Sequence, residues 1–384
     1  MTNLHSVPLC EPFIGRTERR LVRECLRSGF VSAVGPMVGR FERAFAQQVG
    51  ARHAVAVSSG TAALHAALLA AGIGPGDRVV VPDLTFVASA NPVLQCGAEP
   101  LFADVDPDTW MLDPRLLAAL CRRFQRSSRP LRAVVPVHLY GGACDMPAIM
   151  RVARRFGLKV IEDATEALGA TARGRQVGTF GDLGCFSFNG NKMITTGNGG
   201  MIVTGSARLA DTARHLAAQA RADPLEYLHD RPGFNYRMSS LAAALGLGQL
   251  ERLDLILTRK RRIGMRYAAV FAGAADFRLQ RLAPGMRHCF WLNSIVLHRP
   301  DQRDRWLKHL NRLGIGARPF FRPLHTQPYM KGPLWVLRGN TARPARSGHS
   351  DRIAAGGINI PSSAGLDPTH QARVIAAILE LARR

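Results

Sequence analysis

Short runs of consecutive apolar residues, each followed by a segment long enough for a helix, constrain this chain more than any other feature. RHAVAVSS reads as a buried strand and GTAALHAALLAAGI after it as a helix; DRVVVP and TFVASANPVLQCG repeat the pair. AEPLFADVD and LRAVVPVHLYG read as strands, MPAIMRVARRFG as a helix and LKVIEDA as a strand. Strands of Val and Ile without polar alternation, separated by helices, mark a parallel sheet covered on both faces. The expected fold class is therefore α/β: a large, doubly wound, mostly parallel sheet with ligands at the carboxyl ends of its strands. CFSFNG and GGMIVTG read as two strands around a turn. From about Leu241 the pattern changes, and SLAAALGLGQLERLDLILTRKRRIGMRYAAVFA reads as one long helix. FWLNSIVLH, a helix at RWLKHLNRLG and a last helix at THQARVIAAILELARR follow it. This predicts a large domain over residues 1–255, its first 25 or so an N-terminal arm, and a smaller α+β C-terminal domain over 256–384.

Composition removes several classes of function. With 384 residues, 47% of them hydrophobic, the chain can bury a large core and is not a disordered or low-complexity protein. The longest apolar stretch, Ala62–Ile73, is broken by His65 and Gly72, so no membrane span is expected. The first residues carry no basic segment followed by an apolar one, which predicts a cytoplasmic protein. Seven scattered cysteines without a CxxC pair argue against a disulfide framework or a zinc ribbon, and no metal is expected. The net charge of +23 comes from 46 arginines and five lysines against 28 acidic residues. Such a field attracts polyanions. The excess is spread along the chain without a helix-turn-helix or an interleaving of aromatics, so no specific nucleic-acid partner is expected. Arginine also suits phosphate and diphosphate groups through its bidentate fork, and a solvated basic surface is the plainer alternative.

Four local sequences carry chemistry. Ser58-Ser59-Gly60-Thr61 lies at a strand-to-helix junction, where backbone N–H groups can bind a phosphate or where a serine simply caps the helix. Glu162-Asp163 ends the strand LKVIEDA, a frequent position for a ligand-binding carboxylate and also for a cap. Lys192 is one of only five lysines and sits in the Gly/Asn-rich segment CFSFNGNKMITTGNGG. An arginine would serve any surface role there, but only a lysine can lose a proton and form a Schiff base. Phe86, in DLTFVASAN, could stack on a planar ring or belong to the core. Phosphate cup, aromatic face, carboxylate and lysine together describe a site for pyridoxal 5'-phosphate (PLP).

At these residues the chain resembles the sugar aminotransferases of the DegT/StrS type, within the fold type I PLP-dependent enzymes. SSGTAALHAAL, PDLTFVASANPVLQCGAEPLFADVD, IEDATEALGA, GCFSFNGNKMITTGNGGMIVT and FNYRMSSLAAALGLGQLERLD carry the likeness, which runs from about residue 10 to the C-terminus. The resemblance implies that Lys192 bonds the cofactor and, once released, serves as the base for proton transfer. It implies that Asp163 keeps the ring nitrogen protonated and that Phe86 stacks on the ring. Ser59, Gly60, Thr61 and Ser187 would hold the phosphate, with Asn235 reaching in from a neighbouring subunit of a homodimer whose active sites are shared. Arg237, Arg318 and His325 fall where the family meets the nucleotide sugar.

Two positions depart from the family pattern. Glu166 stands where most relatives carry Gln against the cofactor's phenolic oxygen. An ionised carboxylate cannot donate there, so Glu166 must be protonated or turned away. Asn198 replaces Glu in the glycine-rich segment that most relatives read as GEGG. Within the family the chain looks most like enzymes that move the amino group of L-glutamate to C4 of a nucleotide-diphosphate-linked 4-keto-6-deoxyhexose. Those enzymes make GDP-perosamine or UDP-4-amino sugars of the bacillosamine and legionaminic acid routes, for bacterial surface polysaccharide or glycosides. C4 is favoured over C3, and UDP slightly over GDP. A C3-ketosugar aminotransferase, another PLP reaction, and a non-catalytic regulatory or polyanion-binding protein on this scaffold remain the alternatives.

Overall fold

The structure is a computed structural model that describes residues 6–223, 225–330 and 348–383, with the backbone pairs 337–338 and 343–344. Its main sheet contains β1 (His53–Val57), β2 (Arg78–Pro82), β3 (Glu99–Ala103), β4 (Leu131–Val134), β5 (Lys159–Asp163), β6 (Leu183–Ser187) and β7 (Gly200–Thr204). In space the order is β1-β7-β6-β5-β4-β2-β3, extended beyond β3 by the pairs Leu337–Arg338 and Arg343–Pro344. From β3 to β6 the strands run parallel, whereas β7 lies antiparallel to both β6 and β1.

The apolar runs have the cause the sequence suggests. Along β2, Val79 and Val81 enter the core on one side of the sheet and Val80 the core on the other, because successive side chains of a strand point to opposite faces. Each valine buried this way contributes about 1.5–3 kcal/mol. The helix α3 (Gly60–Ala70) is apolar all round, as a helix enclosed between the sheet and the helix Ala207–Ala217 must be.

Three segments differ from the sequence reading. The expected long helix is two, Ser240–Glu251 and Leu253–Val270, broken at Arg252. Ala243, Ala244 and Leu247 of the first and Leu253, Ile256 and Leu257 of the second join the main core, and the second helix runs on to place Ile263 and Tyr267 in the core of the smaller sheet. Arg252 is itself anchored, its Nη1 donating to Glu18 Oε1 at 2.7 Å and to the Phe13 carbonyl at 3.0 Å. TFVASANPVLQCG forms only a 3-10 turn, Val87–Ser89, and a short helix, Asn91–Gln95, because Pro92 fits only the first turn of a helix. LRAVVPVHLYG is strand only at Leu131–Val134; Pro136 lacks an N–H, and the chain turns on through Leu139–Gly141.

The smaller sheet pairs Phe277–Leu279, Asn293–Leu297, Gly357–Ile360 and Arg318–Pro319 in that order, all antiparallel. Near the N-terminus, α1 (Arg16–Ser28) buries Glu18, Leu21 and Cys25 and packs on the helix Ser240–Glu251.

Candidate active site

One cavity of about 620 Å³ opens at the carboxyl ends of β5 and β6 and at the start of α3. Ser59, Gly60, Thr61, Phe86, Asp163, Glu166, Ser187, Lys192 and Arg318 all line it. Residues spread over some 260 positions of sequence thus meet where a doubly wound sheet presents its ligands.

At one end lies the first turn of α3. Ser59 is its N-cap, its hydroxyl accepting from the Ala62 N–H at 3.0 Å, so the capping reading holds. The phosphate reading survives beside it, because the first N–H groups of a helix have no acceptor within the helix. The space is closely fitted. A Cβ on Gly60 would come within 2.8 Å of Ser187 Cβ, and one on Gly200 within 2.4 Å of the Ser59 carbonyl. Only glycines let these backbones meet, with the hydroxyls of Ser59, Thr61 and Ser187 at the same end of the cavity.

Strand alternation sends the two carboxylates of β5 to opposite sides. Glu162 is fully buried and accepts from the N–H groups of Gly178, Phe180 and Gly181 at 2.6–2.7 Å, and from His138 Nε2 at 3.1 Å. Its role is to hold the loop before β6. Asp163 is 3% exposed and points into the cavity, Oδ2 accepting from Ser89 Oγ at 2.7 Å and Oδ1 from the Thr165 N–H at 3.1 Å. Ser89 in turn meets Thr85 Oγ1 at 2.8 Å. Phe86 is 52% exposed on the cavity wall, with Phe321 behind it at a ring distance of 5.2 Å. A core phenylalanine would be covered; this one offers a face.

Lys192 lines the same cavity, with Nζ 3.5 Å from Glu166 Oε1 and 4.1 Å from the centroid of the Trp291 ring. Glu166 is buried, and its Oε2 accepts from the Tyr140 N–H at 2.8 Å. Burial pushes the Glu166 carboxyl above the usual glutamate range, against the opposing charge of Lys192. Glu166 lines the cavity rather than turning away from it, and burial shifts its carboxyl toward the protonated form.

Three candidates lie outside this cavity. Asn235 and Arg237 are exposed, in a segment that touches the main chain near Ala218 and Val57. His325 is engaged internally: Nδ1 meets Asp83 Oδ2 at 2.8 Å and Nε2 meets Asp351 Oδ1 at 3.3 Å. Its hydrogen bond to buried Asp83 raises the His325 pKa. Sequence reasoning passed over Ser89, Trp291 and Tyr140. A lone Ser or Trp between apolar runs carries no local signal, and only the fold brings them to the site.

The donor set fits PLP. A buried carboxylate suits a protonated ring nitrogen, an exposed phenyl face suits a flat ring, a lysine suits the aldehyde, and a helix start with three hydroxyls suits a phosphate. The profile of the DegT/DnrJ/EryC1/StrS aminotransferase family matches residues 12–379. The chain belongs to that family. It is 42% identical to the GDP-perosamine synthase of Caulobacter vibrioides over 98% of this chain and 99% of the relative. The Vibrio cholerae protein of the same name is 39% identical over 94% and 95%. Among solved structures, DesV of S. venezuelae superposes with a TM-score of 0.86 at 33% identity, covering 96% of this chain and 94% of that one. As a member of this family the protein is a PLP-dependent aminotransferase with an α/β fold. Among the described residues, no helix is long and apolar enough to cross a membrane.

Proposed function

We propose that the protein transfers the amino group of L-glutamate to the C4 keto carbon of a GDP-linked 4-keto-6-deoxyhexose. Support for the reaction class comes from Lys192, Asp163 and Phe86 lining one cavity. Support for the sugar nucleotide comes from three relatives named GDP-perosamine synthase, at 38–42% identity over nearly their full length. That likeness moves the choice of base from UDP to GDP. Bound PLP supplies an electron sink into which a C–H bond next to nitrogen can be broken.

In this reading the Asp163 carboxylate sits beside the ring nitrogen, and Ser89 and the Thr165 N–H, both donating to it, keep it aimed. Lys192 Nζ takes the proton from one carbon and returns it to another. Its short distance to Glu166 gives the amine a neighbour that, when protonated, donates toward the phenolic oxygen as a Gln would. Phe86, braced by Phe321, fixes the plane of the ring. Arg318 is placed for a diphosphate, which its fork can grip in two places.

The site is completed, in the same reading, by a second copy of the chain that brings Asn235 and Arg237. Their exposure outside the cavity supports this. His325, with both ring nitrogens on carboxylates, braces the loop that carries Phe321 and Arg318. The cytoplasm suits the seven cysteines, all free thiols. The 1–255 and 256–384 division is proposed as the boundary between the two lobes.

One experiment tests the whole. Purified protein is given glutamate and a panel of GDP-, UDP- and dTDP-linked 4-keto and 3-keto sugars, with products detected by mass. An aminated GDP-sugar is expected. Amination of only a 3-keto sugar would replace the reading with the C3 alternative, and no amination despite bound PLP would remove it.

A further inference from the structure

The Lys192 amine rests against a surface that no part of the reading above uses. Its Nζ lies 4.1 Å from the centroid of Trp291, well inside the range in which an aromatic face attracts a cation. The ring is 2% exposed and is held on several sides. Its indole N–H donates to the carbonyl of Asn191, the residue next to Lys192, at 2.6 Å. Its own carbonyl accepts from Lys260 Nζ at 2.9 Å. Its plane stacks on Tyr140 at 6.3 Å and 28°, and the Tyr140 N–H holds Glu166, the other neighbour of the amine. The backbone is bent to deliver it: Phe290, just before, sits at φ 59, and Gly141 passes so close that a Cβ there would meet the Trp291 nitrogen at 2.7 Å.

We propose that Trp291 is the positioning residue for Lys192, the platform on which the free amine rests while it moves protons. The amine has four flexible bonds and two neighbours in the structure, the Glu166 carboxyl and the indole face. A proton carrier must stay within reach of its carbon between removal and return, and a small displacement costs rate steeply. The indole face attracts the ammonium, the form the amine takes while it holds the proton, and adds no second hydrogen-bond acceptor to Glu166 Oε1 at 3.5 Å. Trp291 itself exchanges no proton. The proposal rests on Lys192 being the amine that bonds PLP.

The test replaces tryptophan by its 5-fluoro and 5,7-difluoro analogues during expression, which weakens the ring face in steps with little change in shape. All four tryptophans are substituted, so Trp291→Phe made in the same media is the control that isolates this position. In single turnovers with glutamate the rate is expected to fall stepwise, by about tenfold over the series, with the glutamate KM within about twofold. Trp291→Phe, which keeps a face, should stay within about threefold of wild type, and Trp291→Leu should lose tenfold or more. A second readout needs no turnover. With the enzyme loaded with the amine form of the cofactor, Lys192 should react faster with an amine-directed acylating reagent in Trp291→Leu than in wild type, by about tenfold, as peptide mapping of the five lysines reports. A flat fluorination series, or unchanged Lys192 labelling in a folded Trp291→Leu, overturns the proposal. Should Trp291→Leu not fold, the fluorinated series decides alone. Borohydride reduction of wild type that labels another lysine defeats instead the assignment on which the proposal stands.

Discussion

Asp163 ends β5 and Arg237 is bridged to the end of β1, two strands of one sheet with β6 and β7 between them, yet the two residues are finished to different degrees. Asp163 is buried, bonded to Ser89 and the Thr165 N–H, and lines with Lys192 a cavity whose walls the same chain supplies. Arg237 and Asn235 are exposed and line no part of that cavity. The difference teaches where the chain is self-sufficient. Groups that must be desolvated to act are set within one copy, because a buried carboxylate needs neighbours already in place. Groups that grip a large, highly charged substrate can be lent from outside.

The comparison breaks most sharply at its buried end. Asp163→Asn should still fold and take up cofactor but lose roughly a hundredfold or more in the glutamate half-reaction. Leaving a buried charge without its partner costs about 3 kcal/mol or more, and each 1.4 kcal/mol is tenfold in rate. Stopped-flow absorbance with glutamate measures it, and near-normal rates would reduce Asp163 to a structural cap.

The exposed end is tested by mixing. Lys192→Ala and Arg237→Ala should each be inactive as homodimers in the full reaction. After complete subunit exchange, about half the dimers are mixed, and one site in each receives neither defect. Activity should return to about a quarter of wild type. Exchange confirmed by native mass measurement with activity still absent would place both residues in one subunit's site and dissolve the contrast.

The smallest effect is expected at Glu166→Gln, where turnover should stay within about threefold. The raised Glu166 carboxyl keeps its proton to higher pH in the folded chain than in the unfolded one. Folding therefore loses stability as pH rises from the ordinary glutamate value toward the raised one. Glutamine removes that loss, so the variant should melt higher than wild type by about 2 °C at pH 8 and by less at pH 5. A melting advantage that grows toward acid would mean that Glu166 is held ionised.

What was legible in the sequence follows the same divide. The sheet could be read because most of its strands carry a short apolar run, a signal contained in about five residues. Lys192 and Asp163 could be read because their residue type is unusual for its surroundings. The break at Arg252 could not, since both halves keep a helical pattern and only the anchoring of Arg252 to Glu18 and the Phe13 carbonyl, far off in sequence, marks the turn. The α1 helix repeats Leu21 and Cys25 at helical spacing, but among so many arginines the segment reads first as a run of charge. Trp291 and Ser89 are common residues made significant by what lies opposite them, and that is a property of the packed chain.

The alternation at Glu162 and Asp163 has a consequence for errors in assembly. Two carboxylates that differ by a single methylene stand side by side, and a slip of one residue along β5 would exchange their sides, putting the loop-holding group in the cavity and the cavity group among the backbone amides. Three N–H donors and His138 all grip Glu162 and would all be lost in the slipped arrangement. Glu162 thus acts as a detent: it touches no ligand, yet it sets which of two nearly identical acids the reaction meets.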